Sequence, residues 1–368
     1  MTFPIIQHID ELKAKVGHQP EIRFTTNEFG FTIVCYVVST GETFTSENKE
    51  WARECRGITF APDGKIASRP LHKFFNIGEL PETQASEVKG KKIARLMDKR
   101  DGSMVHPVMV EGKVLLKTKK SFTSDVALLA TQLLYLPKNA RILDFCERMI
   151  SVGMTPIFEY TSPKSRIVLP YEQDELRLLH IRNNYNGEYV EKLKDSMNLL
   201  GYPDVPIVDE YDAESLDVDS LLKSLETEEN KEGYILMFDD GNMVKGKTAW
   251  YLQLHRTIVF VRERDIAEMI VNETVDDYKS YLAISGKTLD KVIEIEHRVL
   301  EEIRKIEQQV DEAFSLIKHM TDRKEAALSI KGHPMFKAAM NLFNGKEYDV
   351  KDHFFKHVWK EKFSLEQV

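Results

Sequence analysis

The chain has 368 residues, of which 42% are hydrophobic and 30% are charged, and its formal net charge is −8. This length allows two domains of about 150 residues each, and the acidic balance argues against a general nucleic-acid coat, whose affinity comes from a broad basic surface. A concentrated basic pocket is still allowed, because net charge and local field are separate quantities.

Cysteine spacing and the lengths of apolar runs argue against disulfide-rich, zinc-binding, membrane-spanning and secreted proteins. Cys35, Cys55 and Cys146 are widely spaced and form neither a disulfide framework nor a zinc-binding pattern. No apolar run approaches the roughly 18 residues that a membrane-spanning helix needs, and the first residues lack the basic start of a signal peptide. We therefore expect reduced thiols, no membrane association and a cytoplasmic location.

The start of the chain predicts a short helix followed by strands. Residues 5–16 have helical apolar spacing. Residues 21–44 have the pattern of strands in a hairpin, with Gly30 and Gly41 as punctuation. Tyr36 lies within that apolar run, and from the pattern alone it is a core aromatic.

Residues 51–79 combine cations with aromatic rings. Arg56 and Lys73 lie close in sequence to the pair Phe74 and Phe75. Such a set suits a site that holds anionic oxygens next to a flat ring, because guanidinium groups match phosphate geometry. The alternative for the two phenylalanines is the hydrophobic core.

Lys99 precedes an Asp-Gly turn between two apolar stretches. Residues 97–105 are Met-Asp-Lys-Arg-Asp-Gly-Ser-Met-Val. Asp101-Gly102 favours a turn, because glycine tolerates positive φ and aspartate can bond to its own backbone. The flanks predict short strands, so Lys99 is expected near a tight turn between them. A solvated hairpin lysine is the alternative that this stretch leaves open.

Between residues 113 and 256 the pattern alternates between strands and helices. Helices are predicted at 124–136 and 139–152, and strands at 113–121, 155–160, 176–181, 231–238 and 243–247. Glu159 lies among apolar neighbours in its strand, where a carboxylate needs a partner. Lys245 and Lys247 point to one face of theirs, because strand side chains alternate. In a buried strand two such lysines need anions, whereas in an exposed strand they need none.

Beyond about residue 256 no strand signal appears. Residues 288–319 carry apolar side chains at three- and four-residue steps, which indicates a long amphipathic helix. Shorter helices are predicted at 262–272, 322–331, 334–344 and 350–361. The sequence therefore predicts a mixed α/β domain followed by a helical one.

Several motifs occur in a recognisable order. The set Lys99-x-Asp101-Gly102, Glu159, Glu232-Gly233 and Lys245-x-Lys247 resembles the ordered motifs of the covalent nucleotidyltransferases, the ligase and capping-enzyme superfamily. A second set of residues is more specific: Glu54-Cys55-Arg56-Gly57-Ile58, Ala67-Ser68-Arg69-Pro70, Lys73-Phe74-Phe75-Asn76, Lys119, Arg166-Ile167-Val168-Leu169, Gly187-Glu188-Tyr189, Glu232-Gly233-Tyr234 and Trp250-Tyr251 with His255. Through these residues the chain closely resembles the bacteriophage RNA ligase 1 family over roughly residues 20–256.

The resemblance implies an α+β fold and an activity. An adenylyltransferase domain with antiparallel sheets would occupy residues 1–256, and an all-helical C-terminal domain residues 257–368. The activity would be ATP-dependent RNA ligation through a lysyl-AMP enzyme and an adenylylated RNA 5′ end, with Mg²⁺ or alternatively Mn²⁺. The implied partners are 5′-phosphate and 3′-hydroxyl RNA ends, including a broken tRNA anticodon loop recognised by the C-terminal domain. The implied setting is RNA or tRNA repair in the cytoplasm of a phage-infected bacterium.

The resemblance also implies residue roles. Lys99 would be the AMP-accepting nucleophile, and the catalytic cations around it would be Arg56, Lys119, Lys245 and Lys247. Clustered cations would favour the neutral form of Lys99. Glu232 would act through the divalent cation, and Glu159 would accept a hydrogen bond from the ribose. The implied nucleotide-binding set is Tyr36, Arg56, Lys73, Phe75, Lys99, Gly102, Lys119, Glu159, Glu232, Lys245 and Lys247.

Two positions depart from the wider pattern. The strand at 178–181 has no Phe or Tyr to stack on adenine, so Leu179 or Ile181 would supply an aliphatic wall instead. Lys120 stands where a glycine is usual.

Two other functions stay open at this point. A DNA ligase or a capping guanylyltransferase of the same superfamily is one, although these append an OB-fold with several strands where this chain predicts helices. A non-catalytic RNA-binding protein on the same fold is the other. Against it, every motif lysine and carboxylate is present.

Overall fold

The computed structural model describes residues 3–45, 47–165, 169–213, 217–254, 262–284 and 288–364. The strands, in chain order, are β1 (Ile22–Thr26), β2 (Thr32–Tyr36), β3 (Arg56–Phe60), β4 (Ile66–Ser68), β5 (Phe75–Asn76), β6 (Ile93–Asp98), β7 (Ser103–Val110), β8 (Lys113–Lys117), β9 (Met154–Thr161), β10 (Glu175–Asn183), β11 (Glu210–Tyr211), β12 (Gly233–Phe238) and β13 (Met243–Lys247). The α-helices are α1 (Ile9–Val16), α2 (Gly41–Thr45), α3 (Lys49–Glu54), α4 (Ala85–Lys89), α5 (Asp125–Leu134), α6 (Ala140–Ser151), α7 (Leu193–Leu200), α8 (Val218–Thr227), α9 (Ala249–Leu254), α10 (Glu263–Val271), α11 (Val275–Ile284), α12 (Asp290–Ile317), α13 (Arg323–Ser329), α14 (Phe336–Phe343), α15 (Val350–His357) and α16 (Trp359–Lys362).

Within these ranges the strands form three sheets, ordered β1-β2-β3-β4, β10-β9-β7-β8 and β11-β6-β12-β13-β5. Neighbouring strands pair antiparallel, except that β5 runs parallel to β13. The prediction of a mixed α and β fold with antiparallel sheets is therefore confirmed.

The second and third sheets face each other across an apolar layer. Met97 of β6, Ile157 of β9 and Met237 of β12 belong to one buried cluster in this layer. On its other face the second sheet buries Phe158 against Phe145 of α6. The strands around the Lys99 turn thus have apolar packing that holds them in place, which a functional site needs.

The helical region has its own core along α12. Its buried residues recur at helical spacing from Val292 to Ile317, and Val37 and Val38 from the N-terminal part belong to the same cluster. The long helix predicted at 288–319 is confirmed. The boundary proposed at 256 falls among residues 255–261, outside the described ranges, and the division into two domains stays a prediction.

Some local predictions were wrong or incomplete. Residues 41–45 form the helix α2 and not part of a hairpin, and α9 and α11 had no sequence prediction. Helical periodicity misses α2 and α9 because five or six residues are too few to repeat a helical period. In α11 the polar residues Lys279 and Ser280 are buried, so apolar spacing does not mark its inner face. None of the helices in the described ranges combines the length and the apolar character that crossing a bilayer needs.

Candidate active site

Lys99 lies at the common end of three adjacent strands. Its backbone N–H donates to the Gly233 carbonyl over 2.9 Å, and Gly233 is paired in turn with Lys247. Because antiparallel strands place paired residues side by side, β6, β12 and β13 bring Lys99, Glu232 and Lys247 together. The amine of Lys99 donates to Oε1 of Glu232, and Nζ of Lys247 lies 3.3 Å from the same oxygen.

The turn after Lys99 connects two sheets and is not a surface hairpin. β6 belongs to the third sheet and β7 to the second, and the side chain of Lys99 is 18% exposed. A Cβ on Gly102 would lie 2.4 Å from the Tyr160 carbonyl, so the turn passes β9 at a distance that only glycine allows. The alternative of a solvated hairpin lysine is therefore wrong.

Asp101 anchors this turn from the inside. Its carboxylate oxygens accept hydrogen bonds from the Tyr251 hydroxyl over 2.8 Å and from the Leu169 N–H over 2.6 Å. Its own N–H donates to the Tyr171 hydroxyl over 3.0 Å. Hydrogen bonds to a buried carboxylate are strong, so they hold the backbone next to Lys99. Sequence reasoning missed Tyr171, because nothing in its local pattern distinguishes it from other loop tyrosines.

β9 brings Glu159 beside the turn, opposite Met104 of β7. Burial raises the pKa of the Glu159 carboxyl to about 8, an effect that Lys99 opposes and Glu232 increases. The carboxyl is therefore mostly protonated at neutral pH, and a protonated carboxyl donates as well as accepts. Glu159 can exchange hydrogen bonds with a hydroxyl group, which is the chemistry expected of a ribose contact.

Glu232 has one oxygen engaged and one available. Oε1 accepts from Lys99, whereas the buried Oε2 has no hydrogen-bond partner within the described residues. A buried carboxylate oxygen without a donor suits a cation. In the part of the chain that the structure describes, no group of three or more His, Cys, Asp or Glu residues could hold a metal. A divalent cation at Glu232 would thus need oxygens of a bound substrate as further ligands.

The predicted cations Lys245 and Lys247 of β13, and Lys119 just after β8, form ion pairs with carboxylates of the helical region. The ion pairs are Lys119 with Glu273, Lys245 with Asp276 and Lys247 with Asp277. The acids come from one short segment, residues 273–277. Glu273 follows the end of α10, whereas Asp276 and Asp277 lie in the first turn of α11. The expectation that two same-face lysines in a buried strand meet anions is fulfilled by Asp276 and Asp277. Sequence reasoning missed all three acids, because no local pattern pairs this segment with strands far away in the chain.

Lys73 lies in a cage of aromatic rings. Its Nζ is 5.8 Å, 5.7 Å and 5.0 Å from the ring centroids of Tyr36, Phe44 and Phe75. Burial, together with the nearby Lys245, lowers the pKa of Lys73 to about 8. Tyr36 and Phe75 are themselves buried in the core of the first sheet. They contact a site cation, and direct packing of either ring on a nucleotide stays a prediction.

Arg56 and Lys119 are held near each other through Gly57. A Cβ on Gly57, whose φ is +99°, would lie 2.5 Å from the Lys119 carbonyl. The buried amine of Lys117 donates to the Gly57 carbonyl over 3.3 Å and to the Thr118 carbonyl over 2.8 Å. Burial lowers the pKa of Lys117 to about 7. Sequence reasoning missed Lys117, because only burial distinguishes it from its neighbour Lys119.

Leu179 and Ile181, the two candidates for an aliphatic wall beside the adenine, lie on opposite faces of their sheet. Leu179 packs on the apolar layer between the sheets, near Met97, whereas Ile181 is fully buried in the cluster with Phe145 of α6. Ile181 is therefore wrong as a wall of this site, and Leu179 is the remaining candidate. The motif residues 166–168 and His255 lie outside the described residues.

Comparison with known proteins gives a family match, relatives in sequence and distant likenesses among solved structures. A family described as RNA ligase matches residues 54–254. A protein of Thermovibrio ammonificans named "Putative RNA ligase" is 33% identical over 336 residues, which are 84% of this chain and 82% of that protein. RNA ligase 1 of bacteriophage TS2126 is 25% identical over 267 residues, which are 69% of this chain and 64% of that protein. Among solved structures, a "Putative ATP-dependent DNA ligase" from Aquifex aeolicus has 14% identity and a TM-score of 0.49, over 82% of this chain and 81% of its own. The family match spans the Lys99 turn and the strands around it, whereas the structural likeness is too distant to bear on the reaction.

Proposed function

The chain belongs to the RNA ligase family that matches residues 54–254, and on this premise we propose that it uses ATP to join 5′-phosphate and 3′-hydroxyl ends of RNA. The observation that carries this proposal is the convergence of Lys99 and Lys247 on one oxygen of Glu232. An amine oriented by a buried carboxylate, with a second cation beside it, is arranged for attack on a phosphate.

Lys99 is the nucleophile of the first step. Its Nζ attacks the α-phosphorus of ATP and releases a proton, an N–P bond forms, the P–O bond to the β-phosphate breaks, and pyrophosphate leaves. AMP then passes to the RNA 5′-phosphate, and the RNA 3′-hydroxyl displaces AMP to close the strand. These are in-line phosphoryl transfers, so the protein mainly positions groups and neutralises charge.

The surrounding cations bind the phosphates. Lys119, Lys245 and Lys247 hold the α-phosphate as charge develops in the transition state. Arg56 and Lys73 hold the outer phosphates and the departing pyrophosphate. The aromatic cage supports this role. Within the described residues the Lys73 ammonium faces aromatic rings and forms no ion pair, so it can bind a phosphate without first losing a carboxylate partner.

The remaining contacts orient the nucleotide. Glu159 exchanges hydrogen bonds with the ribose, Gly102 keeps the turn close to β9, and Leu179 supplies an apolar wall for the base. Tyr36 and Phe75 do not contact the nucleotide in this scheme. Their rings hold the ammonium groups of Lys73 and, at Tyr36, also of Lys119 by cation–π contacts.

Glu232 is the residue that would hold a divalent cation, Mg²⁺ or Mn²⁺, through its Oε2. When bound, such an ion neutralises phosphate charge and polarises the P–O bonds. The buried, unpartnered state of Oε2 within the described residues supports this assignment.

The two regions divide the work. Residues 1–256 form the adenylyltransferase domain, and residues 257–368 form the all-helical domain that recognises the RNA, for example a broken tRNA anticodon loop. The ion pairs of Glu273, Asp276 and Asp277 with the site lysines support contact between the two regions during the reaction. The setting would be the cytoplasm, where the buried thiols of Cys35, Cys55 and Cys146 would stay reduced.

The first test needs no RNA. The protein is incubated with Mg²⁺ and ATP labelled at the α-phosphate, and then run on a denaturing gel. Label should stay on the wild type and on Lys113→Ala, an exposed lysine of β8, and vanish in Lys99→Ala. Absence of label on folded protein that carries no AMP beforehand contradicts the proposal and leaves a non-catalytic RNA-binding protein.

Two further arms identify the substrates. GTP in place of ATP should give no label, whereas labelling by GTP would indicate a capping enzyme. A single-stranded RNA with a 5′-phosphate and a 3′-hydroxyl should be circularised, and the matched DNA strand shows whether DNA ends are accepted.

A further inference from the structure

Glu273 contacts three lysine side chains next to the candidate site. Its carboxylate accepts hydrogen bonds from Lys119 and Lys120, and Nζ of Lys351 in α15 lies 3.4 Å away. The side chain is 13% exposed. One buried carboxylate thus faces three ammonium groups, one of which is a predicted phosphate-binding lysine.

The backbone at Glu273 would suit glycine better. α10 ends in a Schellman arrangement, in which the Glu273 N–H donates to the Ile270 carbonyl and the Thr274 N–H to the Met269 carbonyl. Glu273 occupies the left-handed position of this motif, with a φ of +61°, where glycine is usual because a Cβ is strained there. It is also an acid at a helix C-terminus, where negative charge is unfavourable.

The three lysines offset these costs. Although burial opposes ionisation, Lys119, Lys120 and Lys351 lower the pKa of Glu273 to about 2. The carboxylate is therefore charged at any pH at which the enzyme works. Lys119 gains a fixed position from it, with its Nζ 4.7 Å from the centroid of the Tyr36 ring.

A carboxylate and a phosphate need the same donors. A single carboxylate leaves an excess of positive charge at Lys119, Lys120 and Lys351, so a polyphosphate with more charge than Glu273 can replace it. Every such replacement must first break the existing ion pairs, which weakens net binding. The acid thus lowers the anion affinity of the site without removing it.

We propose that Glu273 is an affinity-determining residue, an internal competitor that occupies Lys119 and Lys120 until the polyphosphate of the nucleotide displaces it. The inference rests on the proposed function, because it takes Lys119 as a phosphate ligand. It adds that a residue of the helical region sets how tightly the polyphosphate is held.

The test compares two variants that separate charge from backbone strain. Glu273→Gln removes the charge and keeps the strained side chain, and Glu273→Gly removes both. Binding of inorganic tripolyphosphate to the full chain, without metal, is measured by calorimetry, and the KM for ATP in Lys99 labelling is measured beside it. Both variants should bind tripolyphosphate roughly threefold to tenfold more tightly than the wild type, with a KM for ATP lowered in parallel.

The matched controls are Glu111→Gln and Glu111→Gly. Glu111 also has a positive φ, of +48°, and lies exposed in the β7–β8 turn, so these changes should leave anion binding unchanged. In a Lys119→Met background the gain from Glu273→Gln should shrink, because the competed lysine is gone.

Unchanged or weaker tripolyphosphate binding by both folded Glu273 variants would overturn the inference. If the wild type labels Lys99 normally in that case, the proposed function stands and only the competition is wrong. If the wild type neither labels Lys99 nor binds tripolyphosphate, the proposed function fails and the inference fails with it.

Discussion

The Lys99 end and the Lys119 end of the candidate site are built from different kinds of contact. At the first, Lys99, Glu232 and Lys247 stand at the paired ends of adjacent strands. At the second, Lys119 is held by Glu273, which is 154 residues away in the chain. Backbone pairing places all three residues of the first group, although Lys247 also pairs with Asp277 of the remote segment 273–277. At the second, a side-chain ion pair with that segment holds Lys119.

This difference has a functional meaning. A backbone ladder keeps a nucleophile in one position, because moving it would break several hydrogen bonds together. Ion pairs between side chains can be exchanged for substrate oxygens one at a time. We therefore expect the Lys99 end to tolerate no change of backbone shape, and the Lys119 end to respond to substitution in a graded way.

The largest effect is expected from Gly102→Ala at the Lys99 end. The added Cβ would lie 2.4 Å from the Tyr160 carbonyl, so the turn must move away from β9. Lys99 labelling should fall by about 100-fold, and the free energy of unfolding by about 1–3 kcal/mol. Gly90→Ala is the control, since its nearest contact is an ordinary 3.8 Å. Normal labelling by Gly102→Ala would show that backbone shape does not decide this end.

A smaller effect is expected from Lys117→Met behind the Lys119 end. The substitution removes the amine that holds the Gly57 and Thr118 carbonyls, so Arg56 and Lys119 should be less well aligned. The KM for ATP should rise roughly threefold to tenfold with little change in kcat. Lys113→Met, on an exposed lysine of the same strand, should change neither. A fall in kcat with a constant KM would place Lys117 in the chemical step instead.

The same variant has a pH signature. Burial lowers the pKa of Lys117 to about 7, whereas in the unfolded chain it is near 10.4, approximately that of a free lysine. Between these values the unfolded state binds more protons, so this residue's contribution to stability rises with pH. In urea unfolding, the free energy of unfolding of the wild type minus that of Lys117→Met should therefore increase from pH 7 to pH 9. Parallel unfolding midpoints across this range would contradict the burial of a neutral amine.

The smallest effect is expected from Glu159→Gln, and it too depends on pH. Burial raises the pKa of Glu159 to about 8, above its value in the unfolded chain. Between about pH 4.5 and pH 8 the folded state therefore binds more protons than the unfolded state. The free energy of unfolding falls as the pH rises through this range. Glutamine carries no charge at any pH. The variant should match the wild type near pH 4.5 and be more stable by about 1 kcal/mol near pH 8, a small difference because Glu159 is only partly buried. Glu111→Gln, at an exposed turn, should follow the wild type throughout.

The sequence by itself determined the local features of this protein. The Asp101-Gly102 turn, the strands on both sides of it and the long helix α12 follow from turn chemistry and apolar periodicity, which act between residues close in the chain. The ordered motifs, through their resemblance to a known family, determined the expected chemistry of Lys99, Glu159 and Glu232.

Residues of the same type that lie close in the sequence have different positions and roles, and only the tertiary structure decided these. Lys117 is buried while Lys119 reaches the site, and Leu179 lies on the layer between the sheets while Ile181 lies behind it. The counter-ions of the site lysines come from residues 273–277, and no local pattern connects that segment with β8 or β13. Burial and ion pairing depend on which distant segments pack together, and periodicity carries no information about that choice.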